Sequence, residues 1–218
     1  MSAPAKVKIC GIRTPQALDA ALSGGADFVG FVFFPRSPRN VRPAEAARLA
    51  APARGRAAIV ALLVDPDDLL LEDVIPALKP DLLQLHGHEG PERVAAIKAR
   101  HGIAVMKAIS VETAADIAGA GDYAGIADRI LFDAKAPKEL TGALPGGNGL
   151  SFDWQLLAGA SGKIEFMLSG GLSPDNVAAA IALTGAWAVD VSSGVESAPG
   201  VKDAALIARF LRAAKKAG

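Results

Sequence analysis

The sequence predicts a closed (β/α)₈ barrel, and three observations carry that reading. Eight short apolar runs recur at near-even spacing, at 6–10, 27–33, 57–64, 81–85, 103–108, 129–133, 164–168 and 187–191. Most are continuously apolar rather than alternating, the pattern of parallel strands covered on both faces. Helical patterns separate them in strict alternation, which favours a parallel sheet with covering helices, and eight such units in order favour closure. The 218 residues form one expected domain over 1–218, with roughly 27 residues per unit, a compact barrel. No Gly-x-Gly-x-x-Gly follows the first run, which weakens the dinucleotide-binding alternative.

The helices are justified in chain order by their start signals. Thr14 can cap a helix over 14–23, and Pro15 suits its first position, where a missing N–H costs nothing. A second spans 43–53, with Ala46, Ala47, Leu49 and Ala50 on one stripe. Asp65-Pro66 opens a third to Leu78, and Gly90-Pro91 a fourth to Arg100. Patterns at 110–118 and 152–157 are shorter; Ser173-Pro174 opens a seventh helix, and 202–216 closes the series. The stretch 134–149 is rich in Gly, Pro and Lys and reads as a mobile loop at the active-site end.

Composition narrows the class further. With 51% apolar and 21% charged residues the chain can bury a large core, built from Ala, Val, Leu and Ile because aromatics are only 5%. Lys+Arg and Asp+Glu balance at 23 each, which argues against a nucleic-acid face or a basic membrane patch. No run approaches the roughly 18 apolar residues of a spanning helix. Residues 1–6 lack the apolar core of a secretory leader, and a lone cysteine cannot form an internal disulfide, so a cytoplasmic location is expected. His86 and His88 lack the further ligands of a zinc site, and no metal is expected.

The chemistry concentrates at strand ends. The single cysteine, Cys10, closes the first run, where parallel α/β folds put reactive groups, although a lone cysteine is often an inert core residue. Lys8 shares its face, because side chains alternate with period two; if both point inward, the ammonium needs a carboxylate such as Asp133 or Asp190 and would favour thiolate over thiol. Otherwise Lys8 reaches solvent at the barrel's lower end. Asp133 ends the sixth run, where a desolvated carboxyl is a candidate proton donor or a loop brace. His86 ends the fourth run as an acid–base group, a ligand contact or a structural histidine, and Gln84 shares its face. Arg36 and Arg39 lie on a proline-stiffened loop, and either can present a fork to an anion.

Two loops read as anion cradles. Ser169-Gly170-Gly171-Leu172-Ser173-Pro174 couples a double glycine to a helix start, and Ser192-Ser193-Gly194 follows the eighth run with hydroxyls and small residues. Each alone is as well explained by a simple turn. Together they follow strands seven and eight, where barrels commonly hold phosphate, so a small phosphorylated ligand is expected.

Six segments, taken in order, resemble the phosphoribosylanthranilate isomerase family of tryptophan biosynthesis. They are Lys8-Ile9-Cys10-Gly11-Ile12, Gly30-Phe31-Val32-Phe33 with Ser37-Pro38-Arg39, Gln84-Leu85-His86-Gly87, Leu131-Phe132-Asp133, Gly147-Asn148-Gly149 before Phe152-Asp153-Trp154, and Ser169-Gly170-Gly171-Leu172 with Asp190-Val191-Ser192-Ser193-Gly194-Val195-Glu196. The resemblance implies a cofactor-free monomeric or homodimeric barrel enzyme that performs an Amadori rearrangement of N-(5-phosphoribosyl)anthranilate. It implies Cys10 as general base, Asp133 as general acid and Arg39, rather than Arg36, at the anthranilate carboxylate. Gln84, His86 and Asp190 would meet substrate, and Gly170, Gly171, Ser192, Ser193 and Gly194 the phosphate. The related ribonucleotide isomerase of histidine biosynthesis carries an aspartate where Cys10 stands, which argues against that activity. A non-catalytic phosphate-ligand sensor would need neither Cys10 nor Asp133.

Overall fold

The apolar runs form eight parallel strands that close on themselves in sequence order, β1 to β8, with β8 pairing back onto β1. This computed structural model describes residues 4–134, 146–147, 151–158 and 165–217. The strands are β1 (Lys6–Cys10), β2 (Phe28–Phe33), β3 (Ala58–Leu63), β4 (Leu82–Leu85), β5 (Ala104–Val111), β6 (Arg129–Ala134), β7 (Phe166–Leu168) and β8 (Ala188–Val191). Most of the stretch read as a mobile loop, 135–145 with 148–149, and the first residue of the predicted seventh strand lie outside the described residues.

Period-two alternation splits each strand between two cores. One set, including Val7, Ile9, Val29, Phe31, Ile59, Leu83, Phe132 and Val189, packs outward in the large core between barrel and helices. The other set fills the barrel interior with Val60, Leu82, Met106, Leu131, Met167 and Ala188. One layer above, toward the carboxyl ends, the same face turns polar: Lys8, Gln84, Asp133 and Asp190 are all buried there. Both faces are dry, which is why the runs read as continuously apolar.

The amino-terminal face is clamped by a repeated device. Asp27, Asp81 and Asp128 each precede an even-numbered strand, and their carboxylates accept the N–H of Val7, Ile59 and Val105 at 2.8, 2.7 and 2.9 Å. Each returns its own N–H to the carbonyl of the same residue. These pairs stabilise strand register at the end away from the chemistry.

The helices are α1 (Pro15–Ser23), α2 (Pro43–Ala50), α3 (Asp68–Leu78), α4 (Pro91–His101), α5 (Ala114–Ala118), α6 (Val177–Thr184) and α7 (Ala204–Lys216). Thr14 caps α1 as expected, its hydroxyl accepting from the Ala17 N–H at 3.2 Å. Four starts differ from the sequence reading, one of them α7, which begins at Ala204 behind the Asp203 cap rather than at 202. α3 begins at Asp68 behind the Asp67 cap, because Asp65 takes a left-handed φ of 45° and directs its carboxylate to the N–H and ring of His88. α5 is short because β5 runs on through Val111, and the Thr113/Asp116 capping box then starts the helix. α6 begins at Val177, after a turn in which the Asn176 side chain bonds the Ser173 N–H and the Gly171 carbonyl. The pattern at 152–157 forms one short 3₁₀ turn, Trp154–Leu157. An antiparallel hairpin of β9 (Glu196–Ala198) and β10 (Val201–Lys202) was not expected from sequence.

Candidate active site

A cleft opens at the carboxyl ends of the strands, and most of the residues singled out from sequence converge on it. At its floor, Lys8 and Cys10 both point inward from β1 and are 0% and 3% exposed. The Lys8 ammonium donates to Asp190 Oδ1 at 3.0 Å, so the inward carboxylate that Lys8 requires is Asp190. Gly30 faces Cys10 across the β1–β2 register. A Cβ at Gly30 would stand 3.0 Å from Cys10 Sγ and 3.2 Å from Lys8 Nζ, so only glycine leaves room for the thiol and the ammonium side by side.

Lys8 pulls Cys10 toward thiolate as expected, and burial opposes it. Burial pushes the Cys10 thiol up; the Lys8 ammonium pulls it down, the Asp190 carboxylate pushes it up again, and the net direction is upward. The resting group is a thiol rather than a thiolate. Burial alone would lower Lys8, but the Asp190 carboxylate opposes it by charge and hydrogen bond, the net direction is upward, and Lys8 stays an ammonium.

Across the barrel, β6 presents Asp133, which is 3% exposed. Its Oδ1 accepts the Ala134 N–H at 2.9 Å, and its Oδ2 meets His86 Nε2 at 3.1 Å. The Gln84 amide lies 2.9 Å from His86 Nδ1. The tautomer follows the amide: its NH2 toward the ring leaves Nε2–H donating to Asp133, whereas its oxygen toward the ring takes Nδ1–H and leaves Nε2 to accept the proton of a protonated Asp133. Gln84 is fully buried behind His86 and does not line the cleft.

The two glycine-bearing loops meet at the opposite wall. Gly170 and Gly171 adopt φ of 88° and 66°. Ser169, Gly170, Gly171, Ser192 and Ser193 line the cleft. Gly194 lies outside that lining; a Cβ there would fall 1.9 Å from the Leu172 carbonyl, so its role is to let the two loops touch. Val32, Phe34, Leu62 and Val64 form an apolar wall beside Cys10.

Arg36 and Arg42 are exposed, whereas Arg39 is 5% exposed and lines the cleft. Its Nε and Nη2 grip both oxygens of Glu196 at 2.8 Å, and Nη2 also reaches the Gly147 carbonyl at 3.1 Å. Sequence reasoning gave Glu196 no role and missed Lys202. The Pro199-Gly200 turn signal was the available clue to the hairpin that carries them. Among the described residues no cluster of His, Cys, Asp and Glu could hold a metal ion, and no helix is long and apolar enough to cross a membrane.

The model of the N-(5'-phosphoribosyl)anthranilate (PRA) isomerase family matches residues 7–213. The chain belongs to this family. It is an isomerase of tryptophan biosynthesis. The Rhizobium etli N-(5'-phosphoribosyl)anthranilate isomerase is 58% identical over 211 residues, covering 97% of this chain and 94% of that relative. The Rhizobium meliloti enzyme is 55% identical over 212 residues, covering 97% and 98%. Among solved structures, the Thermotoga maritima phosphoribosyl anthranilate isomerase superposes with a TM-score of 0.86 at 36% identity, covering 97% of this chain and 99% of that one. A phosphoribosyl anthranilate isomerase has also been solved with reduced 1-(o-carboxyphenylamino)-1-deoxyribulose 5-phosphate, at a TM-score of 0.84, 35% identity and 97% and 99% coverage.

Proposed function

We propose that this cleft converts N-(5-phosphoribosyl)anthranilate to 1-(2-carboxyphenylamino)-1-deoxyribulose 5-phosphate, with Asp133 as general acid and Cys10 as general base. The observation that carries the reading is the facing pair itself: a buried carboxyl on β6 and a buried thiol on β1, with a cradle of small residues beside them.

Asp133 gives its proton to the furanose ring oxygen. The C1–O bond breaks, and the anilino nitrogen lone pair forms a C1=N iminium. Cys10 then takes the proton from C2; the C2–H electrons move into the C2–C1 bond and the iminium electrons return to nitrogen. Tautomerisation of the enolamine reprotonates C1 and leaves a C2 ketone. Cys10 first loses its own proton to solvent at the open cleft, and the cationic iminium, a second positive charge beside Lys8, favours that loss, so that a thiolate receives the C2 proton. Ring opening therefore prepares the base that completes the reaction.

Binding groups fit the two ends of such a substrate. The loops 169–172 and 192–193 offer amides and hydroxyls to the phosphate. Arg39 offers a guanidinium to the anthranilate carboxylate, and the wall of Val32, Phe34, Leu62 and Val64 suits its ring. Asp190 is available to a ribose hydroxyl, His86 to the acid or the sugar. Gln84 would act by orienting His86, and Gly194 by spacing the phosphate loops.

The test is turnover followed by loss of anthranilate-type fluorescence, with binding of the reduced product analogue measured in parallel. Cys10→Ala and Asp133→Asn should each lose at least about a hundredfold in kcat, the lower range for removing an acid or base, and still bind the analogue. Near-normal turnover in either variant refutes the assignment.

A further inference from the structure

The β9–β10 hairpin projects two buried charges at the Arg39 side of the cleft, and the rearrangement itself uses neither. Glu196 and Lys202 side chains are 3% and 1% exposed. Glu196 fills both oxygens: Oε1 accepts from Arg39 Nε at 2.8 Å and Lys202 Nζ at 2.7 Å, Oε2 from Arg39 Nη2 at 2.8 Å and the Gly200 N–H at 3.1 Å. Lys202 also donates to the Ser192 carbonyl at 2.8 Å and hydroxyl at 3.1 Å. One ammonium thus ties the phosphate-side loop to the carboxylate that grips Arg39.

We propose that Glu196 is the positioning residue that confers preference for a carboxylate-bearing substrate, by splinting the Arg39 guanidinium at the cleft wall beside Gly147 with Nη1 not spent on the splint. The proposal rests on the reading of Arg39 as the anthranilate-carboxylate group. The fork–fork contact spends Nε and Nη2, and among the described residues Nη1 has no partner. A guanidinium pinned in plane loses little freedom when a second carboxylate docks on its free edge. Arg39, Lys202 and Glu196 together carry one net positive charge in a nearly dry place, a surplus that an incoming anion neutralises. Glu196 is no swinging competitor for the fork, because Lys202 and the Gly200 N–H anchor it from behind. Burial alone would push its carboxyl up, but Arg39 and Lys202 hold it below the usual glutamate range, so it is charged at neutral pH.

The experiment is calorimetric binding of two ligands: the reduced product analogue, and its counterpart lacking only the ring carboxylate. Glu196→Gln should weaken the carboxylated ligand about tenfold, or 1.4 kcal/mol, and leave the other within about twofold. Lys202→Met, which also frees the Ser192 loop, should weaken both. Equal loss of both ligands in Glu196→Gln marks a merely structural role and overturns the proposal; tighter binding of the carboxylated ligand marks a competitor for the fork and also overturns it. Glu196→Asp, with the charge kept and reach lost, should fall between if Glu196→Gln folds poorly, and the same two outcomes overturn the proposal there. Arg39→Lys separates the underlying reading. If it does not discriminate the two ligands, the Arg39 assignment fails and the proposal with it; if it does while Glu196→Gln does not, only the proposal fails.

Discussion

Substituting Lys8→Met breaks the innermost ion pair of the site. Lys8 is fully buried, Asp190 is 4% exposed, and their atoms are 3.0 Å apart. Removing one partner of a buried pair costs about 3–5 kcal/mol, because the other charge is stranded. Asp190 borders the cleft and keeps some access to water, so the low end applies, about 3 kcal/mol. For a chain of this length each kcal/mol moves Tm by about 2–4 °C, giving a fall of about 6–12 °C. Asp190→Asn strands a lysine with no water contact and should cost at least as much. In the double variant no charge is stranded, and the losses should fall short of additivity by about 2 kcal/mol. The pH dependence has a definite sign. The Lys8 ammonium, held above the ordinary lysine value, contributes stability that is present below that value and lost as pH rises through its higher folded value, so the deficit of Lys8→Met against wild type narrows only in strong alkali. Thermal unfolding by circular dichroism at neutral and alkaline pH measures all of this. A Tm change under about 2 °C for Lys8→Met, or full additivity of the two single losses, would refute the reasoning.

Two further outcomes follow from the charge balance. Iodoacetamide alkylation of Cys10 in the unliganded protein should show a pH midpoint above that of free cysteine, since burial dominates, and Lys8→Met should move it higher still by removing the nearest cation; a midpoint at or below that of free cysteine contradicts the resting thiol. The depressed Glu196 carboxyl contributes stability that is present above the ordinary glutamate range and lost as pH falls through its lower folded value. Glu196→Gln should therefore lower Tm at neutral pH and flatten the acid limb of the Tm–pH curve, whereas an acid limb parallel to wild type excludes a role for this group.

The barrel was legible because its strands are dry on both faces: runs such as Phe28–Phe33 and Ala58–Leu63 leave no polar alternation to confuse with a surface strand. Helix starts were legible where the capping residue spends its side chain locally, as Thr14 does. They were misread where it is spent elsewhere, as with Asp65, whose carboxylate crosses to the next loop. Within the site, the inward pairing of Lys8 with Cys10 follows from strand alternation alone. The partners Asp190, His86–Asp133 and Arg39–Glu196 join residues 182, 47 and 157 positions apart, and no local pattern encodes such contacts. The pull of Lys8 on Cys10 was legible because adjacent charges can be read from sequence, while the cost of removing water, which outweighs it, cannot.

The Lys8–Asp190 bridge spans the seam where the first and last strands of the ring meet, and the Ser192 hydroxyl stitches the same seam to the Cys10 carbonyl at 3.2 Å. During synthesis β1 is made 182 positions ahead of Asp190, the group that completes its surroundings. Until β8 docks, Lys8 has no counter-ion and the future base no settled environment, so shutting the ring and assembling the catalyst are a single event. That event joins the most distant parts of the chain, the kind of contact that forms slowly. Joining α7 directly to β1 and opening the ring at another loop would make the seam local, and the onset of activity during refolding would then cease to be a clock for closure.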